Sequence, residues 1–318
     1  MKRLVPVLTA LLLLTLLSGA FYSCAPAPDS PPPHEGIVLR DALGREVRLP
    51  QRPQRVAALL GSFADVWVLA GGEICAAPSD AWEDFGLNMP DAVNIGGAHS
   101  PALELLLSAD PDLVLASAST ASHVDMLDTL EAAGIHVVFF NVDNFEAYLS
   151  MLNICTDLTG RKDLYEQNGT EILEQIEAVK AAYAAAPLPE AERTVLLLRA
   201  SSGSVKAKGS RGTILGEMLA DMGCRNVADS DATLLEQLSV EAVIREDPRH
   251  IFVVAMGNNS AAAEASLQKM MAENPAWGTL TAVREGRLHV MDKTLFNLKP
   301  NDRWGEAYRI LYETLIQD

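Results

Sequence analysis

The sequence ELLLSADPDLVL at residues 104–115 returns in outline as EAVIREDPRHIFV at residues 241–253, and we call these two stretches the Asp-Pro repeats. In both, a Glu begins an apolar helical turn, Asp-Pro follows six residues later, and an aliphatic run comes next. Proline disfavours helical geometry in the residue before it, so each repeat predicts a helix that ends near Asp110 or Asp247 and a buried parallel strand behind it. The spacing is too long for a solenoid and fits two similar lobes. Helix-to-strand junctions often carry proline, but the matched offsets favour duplication over coincidence.

Composition and charge narrow the class of protein. The chain has 318 residues, of which 49% are hydrophobic, and this is enough to bury one or two cores of ordinary size. The formal net charge is −17 at pH 7. A nucleic-acid partner is therefore not expected, because phosphate binding needs clustered Lys and Arg. Adsorption to an anionic membrane surface is disfavoured for the same reason.

The amino terminus nonetheless predicts a link to a membrane. Lys2 and Arg3 precede an apolar run that is shorter than the ~20 residues of a transmembrane helix and is typical of a secretory signal. The predicted signal ends in FYSC at residues 21–24, which resembles a bacterial lipobox, although Phe21 stands where Leu or Val is usual. The resemblance implies that residues 1–23 are a lipoprotein signal peptide and that Cys24 carries the lipid. The alternative is an ordinary secretory signal with an incidental cysteine.

The residues after this cysteine predict a tether. Residues 24–36 are rich in proline and should form a semi-rigid spacer between the folded part and the bilayer. Diacyl modification of the cysteine would supply the two-chain anchor that stable attachment requires. The other cysteines, Cys75, Cys155 and Cys224, allow at most one disulfide and lack zinc-ligand spacing, so they are predicted to be small buried hydrophobes.

Strand and helix patterns alternate in the first lobe, which is predicted to occupy residues 37–160. Residues 38–49 predict a hairpin with a turn at Gly44. Ser100 is expected to cap the helix of the first Asp-Pro repeat, with Pro101 in the first helical position. Further strand patterns separated by helical ones predict a parallel sheet. These strand patterns lie at residues 56–60, 74–77, 113–116 and 136–140.

A long helical pattern at residues 161–186 separates the two Asp-Pro repeats. Its apolar side chains form one stripe, and about 26 residues make a rod of roughly 39 Å at 1.5 Å per residue. Such a rod can span two lobes, so we expect a connecting helix at 161–187, a second α/β lobe at 188–318, and only a small closure on ligand binding. The alternative is an ordinary surface helix.

Several segments together resemble a known family. They are DALGREV at 41–47, PQRV at 53–56, PALE at 101–104 and NPAWGTLTAVREGRL at 274–288, together with the first Asp-Pro repeat. They resemble the substrate-binding lipoproteins of ABC importers for iron complexes and cobalamin, from about residue 37 to the C terminus.

This resemblance implies an α/β fold with two Rossmann-like lobes, each with a central parallel-rich sheet. The lobes would be joined by one long α-helix, with the ligand in the cleft between them. It also implies an extracytoplasmic, lipid-anchored protein that works with a permease dimer and its ATPase subunits. We expect a monomer that needs no cofactor.

The resemblance also gives the Glu of each Asp-Pro repeat a role. In this family one exposed Glu on each lobe docks onto arginines of the permease, and Glu104 and Glu241 occupy the matching positions. Two carboxylates on two lobes would offer a pseudo-twofold surface to a twofold partner. The alternative is that both are first-turn acids favoured by the helix dipole.

Ligand contacts should come from loops at the carboxyl ends of the strands. Trp82 and Phe296 are candidate flat apolar contacts. The candidate cations fall into clusters despite the acidic background and would suit an anionic ferric chelate. The alternative for the clustered cations is a solvated loop and a helix start. The candidate ligand-binding residues are Ser62, Phe63, Trp82, His99, Arg199, Lys206, Lys208, Arg211, Asn258, Phe296, Lys299 and Arg303.

Other classes of function are less well supported. The six histidines raise the possibility of free-metal binding, but they lack paired metal-ligand spacing, and only His99 stands out as a residue that could ligate a heme iron. No nucleophile elbow, phosphate-binding Gly-rich loop or assignable catalytic His is present, so an enzyme is not expected. A surface adhesin or sensor on the same fold is a further alternative.

These observations favour a lipid-anchored receptor that captures an iron(III) chelate, with a ferric siderophore as the first candidate, and delivers it to a permease. Cobalamin and then heme are the alternative ligands. The sequence does not choose among them, because loop lengths and unpaired side chains do not encode the shape of a chelate.

Overall fold

The computed structural model describes residues 36–230, 232–257 and 259–316. The predicted lipidation site Cys24, the signal peptide, the tether up to residue 35 and the candidate ligand residue Asn258 lie outside the described residues. Residues 37–318 group as one compact unit. The division of this unit into lobes at residues 160 and 188 stays a prediction.

The strands form two larger sheets and two short hairpins. The first hairpin is the predicted one, with β1 antiparallel to β2 and a left-handed turn at Gly44, where φ is 78°. The strands are β1 (Ile37–Arg40), β2 (Glu46–Leu49), β3 (Val56–Ala58), β4 (Ile74–Ala77), β5 (Val93–Asn94), β6 (Gly96–Gly97), β7 (Ser100–Pro101), β8 (Leu113–Ser117), β9 (His136–Phe140), β10 (Thr194–Ala200), β11 (Val205–Lys208), β12 (Arg225–Asn226), β13 (His250–Ala255) and β14 (Leu288–Met291).

The first sheet is entirely parallel, in the order β5-β4-β3-β8-β9. Every residue of β3 and β8 is buried, as expected of central strands that are covered on both faces. The sequence prediction of a parallel sheet in this part of the chain is therefore confirmed.

The second sheet has the order β11-β10-β13-β14, with β12 beside the start of β10. All its pairs are parallel except β10 with β11. The strand β11 contains Lys206 and Lys208, for which a solvated loop was the alternative to ligand contact. The mixed α/β fold with parallel-rich sheets agrees with the predicted fold class.

The helices lie around these sheets. They are α1 (Gly61–Leu69), α2 (Asp80–Glu83), α3 (Leu103–Ser108), α4 (Ala121–Asp125), α5 (Leu127–Ala132), α6 (Phe145–Thr159), α7 (Lys162–Tyr165), α8 (Glu171–Ala185), α9 (Ile214–Asp221), α10 (Ala232–Glu236), α11 (Val240–Glu246), α12 (Ser260–Glu273), α13 (Thr281–Arg284), α14 (Lys293–Phe296) and α15 (Trp304–Leu315). The predicted connecting helix is observed as α7, a π-helical turn at Glu166–Thr170 and α8.

Both Asp-Pro repeats adopt the predicted sequence of helix, break and strand. Helix α3 leads to β8, and α11 leads to β13. At each break the Asp before the proline is left-handed, with φ of 49° at Asp110 and 39° at Asp247. The two breaks are stabilised differently, because the Asp247 carboxylate accepts hydrogen bonds from the backbone N and Oγ1 of Thr281, at 2.9 and 2.6 Å.

The predicted start of the first repeat helix is wrong. Ser100 and Pro101 form β7, which pairs with β6 in a short antiparallel hairpin, and α3 begins two residues later at Leu103 with no side-chain cap. Proline is tolerated here because a two-residue edge strand needs few backbone donors. The backbone N–H of Ala102 donates to the Ile95 carbonyl at 2.7 Å, which fixes the chain in the extended geometry.

One continuous core connects the two larger sheets. It passes from the first sheet through α8 and α15 to the inner face of the second sheet. Its largest fully buried side chains are Phe63, Tyr148, Tyr183, Phe252, Phe296, Trp304 and Tyr308. The buried, free thiols of Cys155 and Cys224 belong to this core, as predicted, whereas Cys75 is half-buried.

The two left-handed aspartates should respond differently to glycine. Glycine relieves the steric cost of a positive φ but also increases the entropy of the unfolded chain. Asp110→Gly is therefore expected to change the free energy of unfolding by less than about 1 kcal/mol. Asp247→Gly also removes two hydrogen bonds to Thr281 and should lower the free energy of unfolding by about 2 kcal/mol. Urea denaturation of both variants measures the difference, and equal effects would contradict the role given to Thr281.

Candidate functional site

A cavity of ≈ 310 Å³ lies at the carboxyl ends of strands from both sheets, and we call it the cationic cavity. Ser119 follows β8 and residues 141–143 follow β9, so the first sheet supplies one wall. The second sheet supplies Arg199, near the end of β10. Open parallel sheets bind ligands at this edge. The described lining residues are Ser119, Asn141, Val142, Asp143, Arg199, Gly212, Thr213, Ile214, Asn297 and Lys299.

Three cations share one face of the second sheet beside this cavity. Arg199 pairs directly with Lys206 across β10 and β11, and Lys208 pairs with Leu197, two residues before the arginine. Because side chains alternate along a strand, all three point to the same face. Like charges in such positions repel each other. Burial lowers the pKa of Lys208, and the charges of Arg199 and Lys206 lower it further.

Arg199 is half-buried and makes no ion pair with another described residue. Its Nε atom is buried without a hydrogen-bond partner. Burial lowers the pKa of its guanidinium. A buried donor without a partner has lost its hydration and gained nothing in return, so an acceptor from a ligand would stabilise it.

Lys299 lies in the same cavity, with Nζ 5.8 Å from the ring centroid of Phe63. Burial lowers its pKa, and this effect is opposed by the charges of Asp143 and Asp80. It forms no ion pair with any residue that the structure describes. The cavity thus contains two desolvated cations and one lining carboxylate, Asp143, and this charge balance favours an anionic ligand.

The structure brings some of the predicted ligand residues together. Arg199 and Lys299 line the cationic cavity, and Lys206 and Lys208 lie on the strand beside it. Trp82 is half-buried at the edge of the core, and His99 is exposed in the turn between β6 and β7. For these residues ligand contact stays a prediction.

Other predicted ligand residues lie elsewhere. Ser62, Phe63 and Phe296 are buried, with exposed fractions of 5%, 0% and 2%, so they present almost no surface to a ligand here. Arg211 and Arg303 are exposed and form ion pairs with Glu217 and Glu306, each at 2.7 Å. Neither arginine is among the described residues that line the cationic cavity.

The sequence reasoning missed the wall formed by residues 141–143 and the loop at residues 212–214. Asn141 follows immediately after a correctly predicted strand, so the rule that ligands bind at carboxyl ends was sufficient to find it. The second segment leads into α9, which follows the edge strand β11 of the second sheet, and its approach to Arg199 depends on tertiary packing.

Direct contacts hold the two sides of the cavity in place. Asn301 Nδ2 donates to the Ser62 carbonyl at 2.9 Å and to Asp65 Oδ2 at 2.7 Å. Lys293 pairs with Asp84 at 2.8 Å, and both side chains are largely buried. These contacts join α1 and the segment after α2 to the chain that follows β14, so the cavity walls are connected outside the core as well.

The two Glu residues of the Asp-Pro repeats are exposed in the first turns of α3 and α11. Neither Glu104 nor Glu241 forms an ion pair with a described residue. Ser239 caps α11, and its Oγ lies 3.1 Å from Glu241 Oε2. Permease docking by these carboxylates stays a prediction.

The buried histidines have protein partners. His123 Nδ1 accepts a hydrogen bond from the Ser117 N–H, so its Nε2 donates to the Ala98 carbonyl at 2.7 Å. His250 and His289 bond to each other at 3.1 Å at the amino ends of β13 and β14, away from the cationic cavity.

In the described part of the chain, no group of three or more His, Cys, Asp or Glu could hold a metal ion. None of the helices in that part combines the length and hydropathy needed to cross a bilayer.

The fold has two parallel-rich sheets, and a cavity lies at the carboxyl ends of strands from both, as is expected of a binding protein. A family profile described as periplasmic binding protein matches residues 56–295. The chain belongs to this family, which agrees with the prediction of a binding protein rather than an enzyme.

Several known proteins are similar to this chain in sequence or in structure. The protein YhfQ of Bacillus subtilis (strain 168), named as an ABC transporter substrate-binding lipoprotein, is 23% identical over 94% of this chain and 93% of its own length. Staphylococcus aureus SirA complexed with staphyloferrin B has a TM-score of 0.67 at 19% identity, covering 88% of this chain and 98% of SirA. A periplasmic heme-binding protein from Pseudomonas aeruginosa has a TM-score of 0.66 at 25% identity, covering 83% and 92% of the two chains.

The contact between Asp65 and Asn301 should make stability depend on pH. Burial raises the pKa of Asp65 from 3.8 to about 6, opposed by the Asn301 hydrogen bond and assisted by the charge of Asp302. The folded state therefore favours the protonated carboxyl, and this contribution to stability is lost as the pH rises through about 6. Asp65→Asn keeps an acceptor for Asn301 without the charge. Between pH 4 and pH 7, the free energy of unfolding of Asp65→Asn should rise by about 2 kcal/mol relative to that of the unsubstituted protein.

Urea denaturation at the two pH values tests this expectation. Asp125→Asn, at an exposed carboxylate, is the matched control and should show no such change with pH. A difference between Asp65→Asn and the unsubstituted protein that is the same at pH 4 and pH 7 would show that Asp65 is not the titrating group.

Proposed function

We propose that this protein is the extracytoplasmic substrate-binding component of an ABC importer and that it captures an anionic iron(III) chelate, first of all a ferric siderophore. The ligand would bind in the cationic cavity and be delivered to a permease dimer with its ATPase subunits. Membership of the periplasmic binding protein family supports the binding role. The name of YhfQ supports the importer, and the staphyloferrin B complex of SirA supports the ligand class.

The observation that carries the ligand class is the pair of desolvated cations, Arg199 and Lys299, without ion-pair partners among the described residues. Holding two such cations in one cavity costs free energy in the unliganded protein. An anionic chelate would offset this cost through charge-assisted hydrogen bonds. Lys206 and Lys208 extend the positive potential beyond the cavity and would attract the anion.

Heme is a second candidate because the similar Pseudomonas aeruginosa protein is described as heme-binding. Heme also carries carboxylates, so positive charge alone does not separate it from a ferric siderophore. His99 lies exposed in a turn and is the residue to test as an axial ligand. Cobalamin is a further alternative within the same mechanism, and a bare metal ion is the least supported.

The amino-terminal segment is proposed to anchor the protein. Processing before Cys24 would leave a lipidated cysteine at the start of the mature chain, followed by the proline-rich tether at residues 24–36. The name of YhfQ, which includes the word lipoprotein, supports this proposal. The folded part would then work at the outer surface of the cell membrane.

Removing a cavity cation should weaken chelate binding. Arg199→Ala is expected to raise the Kd for the bound ferric chelate by about 10- to 100-fold, because a charge-assisted hydrogen bond contributes about 1.5–3 kcal/mol. Lys299→Met, which keeps the apolar stem, should act in the same direction. Tryptophan fluorescence quenching with ferric catecholates, ferric hydroxamates, cobalamin, heme and bare metal ions identifies the ligand and then measures the variants.

Arg309→Ala is the matched control, because Arg309 is exposed on α15 and pairs with Glu313 away from the cavity. It should bind like the unsubstituted protein. Unchanged affinity in both cavity variants would contradict the proposed site, and tightest binding of a bare metal ion would contradict the ligand class.

Permease docking is proposed to depend on Glu104 and Glu241. Replacing both with Ala should reduce chelate uptake to background while ligand affinity stays unchanged, because the two carboxylates lie on helices outside the cationic cavity. Uptake into proteoliposomes that contain the cognate importer measures the effect. The control is Glu171→Ala with Glu174→Ala, two exposed first-turn acids of α8. Uptake that persists in the Glu104 and Glu241 variant would refute the docking role.

A further inference from the structure

A second cavity, of ≈ 570 Å³, lies at the carboxyl edge of the second sheet, and we call it the apolar groove. Helix α12 forms one side, and the outer face of β13 and β14 forms the other. Most of the surface between them comes from aliphatic side chains. The described lining residues are Ala200, Val253, Ala255, Ser260, Ala263, Glu264, Leu267, Val290, Met291, Asp292, Lys293 and Thr294.

Large apolar side chains are exposed around this groove. Val290 lies on the edge strand β14 and is 62% exposed, the highest value among the large hydrophobic residues that the structure describes as exposed. Met256, directly after β13, is 47% exposed. Exposed apolar surface bordered by polar groups is typical of ligand-binding grooves and interaction sites. A surface of this kind at the ligand-binding edge of the sheet indicates an apolar ligand group.

The apolar groove adjoins the cationic cavity along the chain. Arg199 lines the cavity and Ala200 lines the groove, and neighbouring Cα atoms are only about 3.8 Å apart. Likewise, Lys293 lines the groove and Asn297 lines the cavity, and they lie at opposite ends of α14. Because successive side chains point to opposite faces of a strand, a ligand that reaches both sites must pass over the carboxyl end of β10.

Charge and size assign different parts of a ligand to the two sites. The cationic cavity is near the lower end of the range of about 300–1,000 Å³ for ligand sites, so a chelate with a substituent needs additional space. The groove carries the carboxylates of Glu264 and Asp292, and its one lysine, Lys293, already pairs with Asp84. An anionic iron centre would be repelled there, whereas a hydrocarbon chain would cover the aliphatic wall.

We propose that the apolar groove binds the alkyl or acyl arm of an amphiphilic ferric chelate whose anionic iron-bearing part occupies the cationic cavity. This inference rests on the proposed function and narrows it, because it assigns the substrate to chelates that combine negative charge with a hydrocarbon arm. Val290, which is the most exposed aliphatic side chain of the groove, would then select for the arm.

The test uses two synthetic ferric tricatecholates of equal charge that differ only by one octyl chain, each below its aggregation concentration. Isothermal titration calorimetry of the unsubstituted protein should show that the octyl chelate binds about 30-fold more tightly than the plain chelate. Each methylene of the chain that is removed from water makes the binding free energy more favourable. Val290→Asp should reduce this preference to less than about threefold and leave the Kd of the plain chelate unchanged. Val38→Asp is the matched control, since Val38 is 50% exposed on β1, and it should keep the full preference.

The outcomes separate this inference from the proposed function. Binding of both chelates with equal affinity would overturn the role of the groove while leaving the proposed function intact. A 30-fold preference that survives in Val290→Asp would place the arm elsewhere and also overturn it. Failure of both chelates, and of every other ferric chelate, to bind would overturn the proposed function and this inference with it.

Discussion

The packing of α8 against α15 is the contact on which the arrangement of the two sheets depends. The helices approach closely at Gly305, where a Cβ atom would lie 2.3 Å from Oε1 of Gln175. Only a residue without a side chain fits there unless the glutamine moves. Tyr183, Trp304 and Tyr308 are buried around this contact, in the same core that reaches both sheets. Helix α8 is therefore one half of a helix pair rather than a free rod.

This helix pair helps to explain how the candidate site can contain two desolvated cations. Arg199 belongs to the second sheet, whereas Lys299 precedes α15 and lies over Phe63 of α1. The core and the contacts of Asn301 with Ser62 and Asp65 fix the backbone segments that carry the two cations. Packing elsewhere in the protein keeps the segments that carry the two cations in this unfavourable arrangement, as is typical of functional sites. A preorganised site of this kind loses little conformational entropy when it binds an anion.

Much of the fold could be predicted from the sequence, because its signals are local. The Asp-Pro steps, the alternating apolar runs and glycines such as Gly44 and Gly160 act within a few residues, and the structure has breaks or turns at these positions. The start of α3 was predicted wrongly because a capping rule considers the residues after Ser100, whereas Ser100 and Pro101 pair with the preceding Gly97 and Gly96 in a short hairpin. Phe63 and Phe296 were assigned to the cleft by their position after strands. Sequence position does not reveal that a helix or the core covers their rings.

The candidate site was harder to predict because it is asymmetric in a chain whose framework is repeated. Both Asp-Pro repeats place an exposed Glu on a short helix before a strand, as the proposed docking to a twofold permease would require. The cavity instead takes polar side chains from the loops after the first sheet, Arg199 from the second sheet and Lys299 from the segment before α15. A duplicated framework can match a twofold partner while its unlike loops distinguish one ligand from another. Specificity is therefore expected where the two halves differ most, at β11, α12 and the segment after β14.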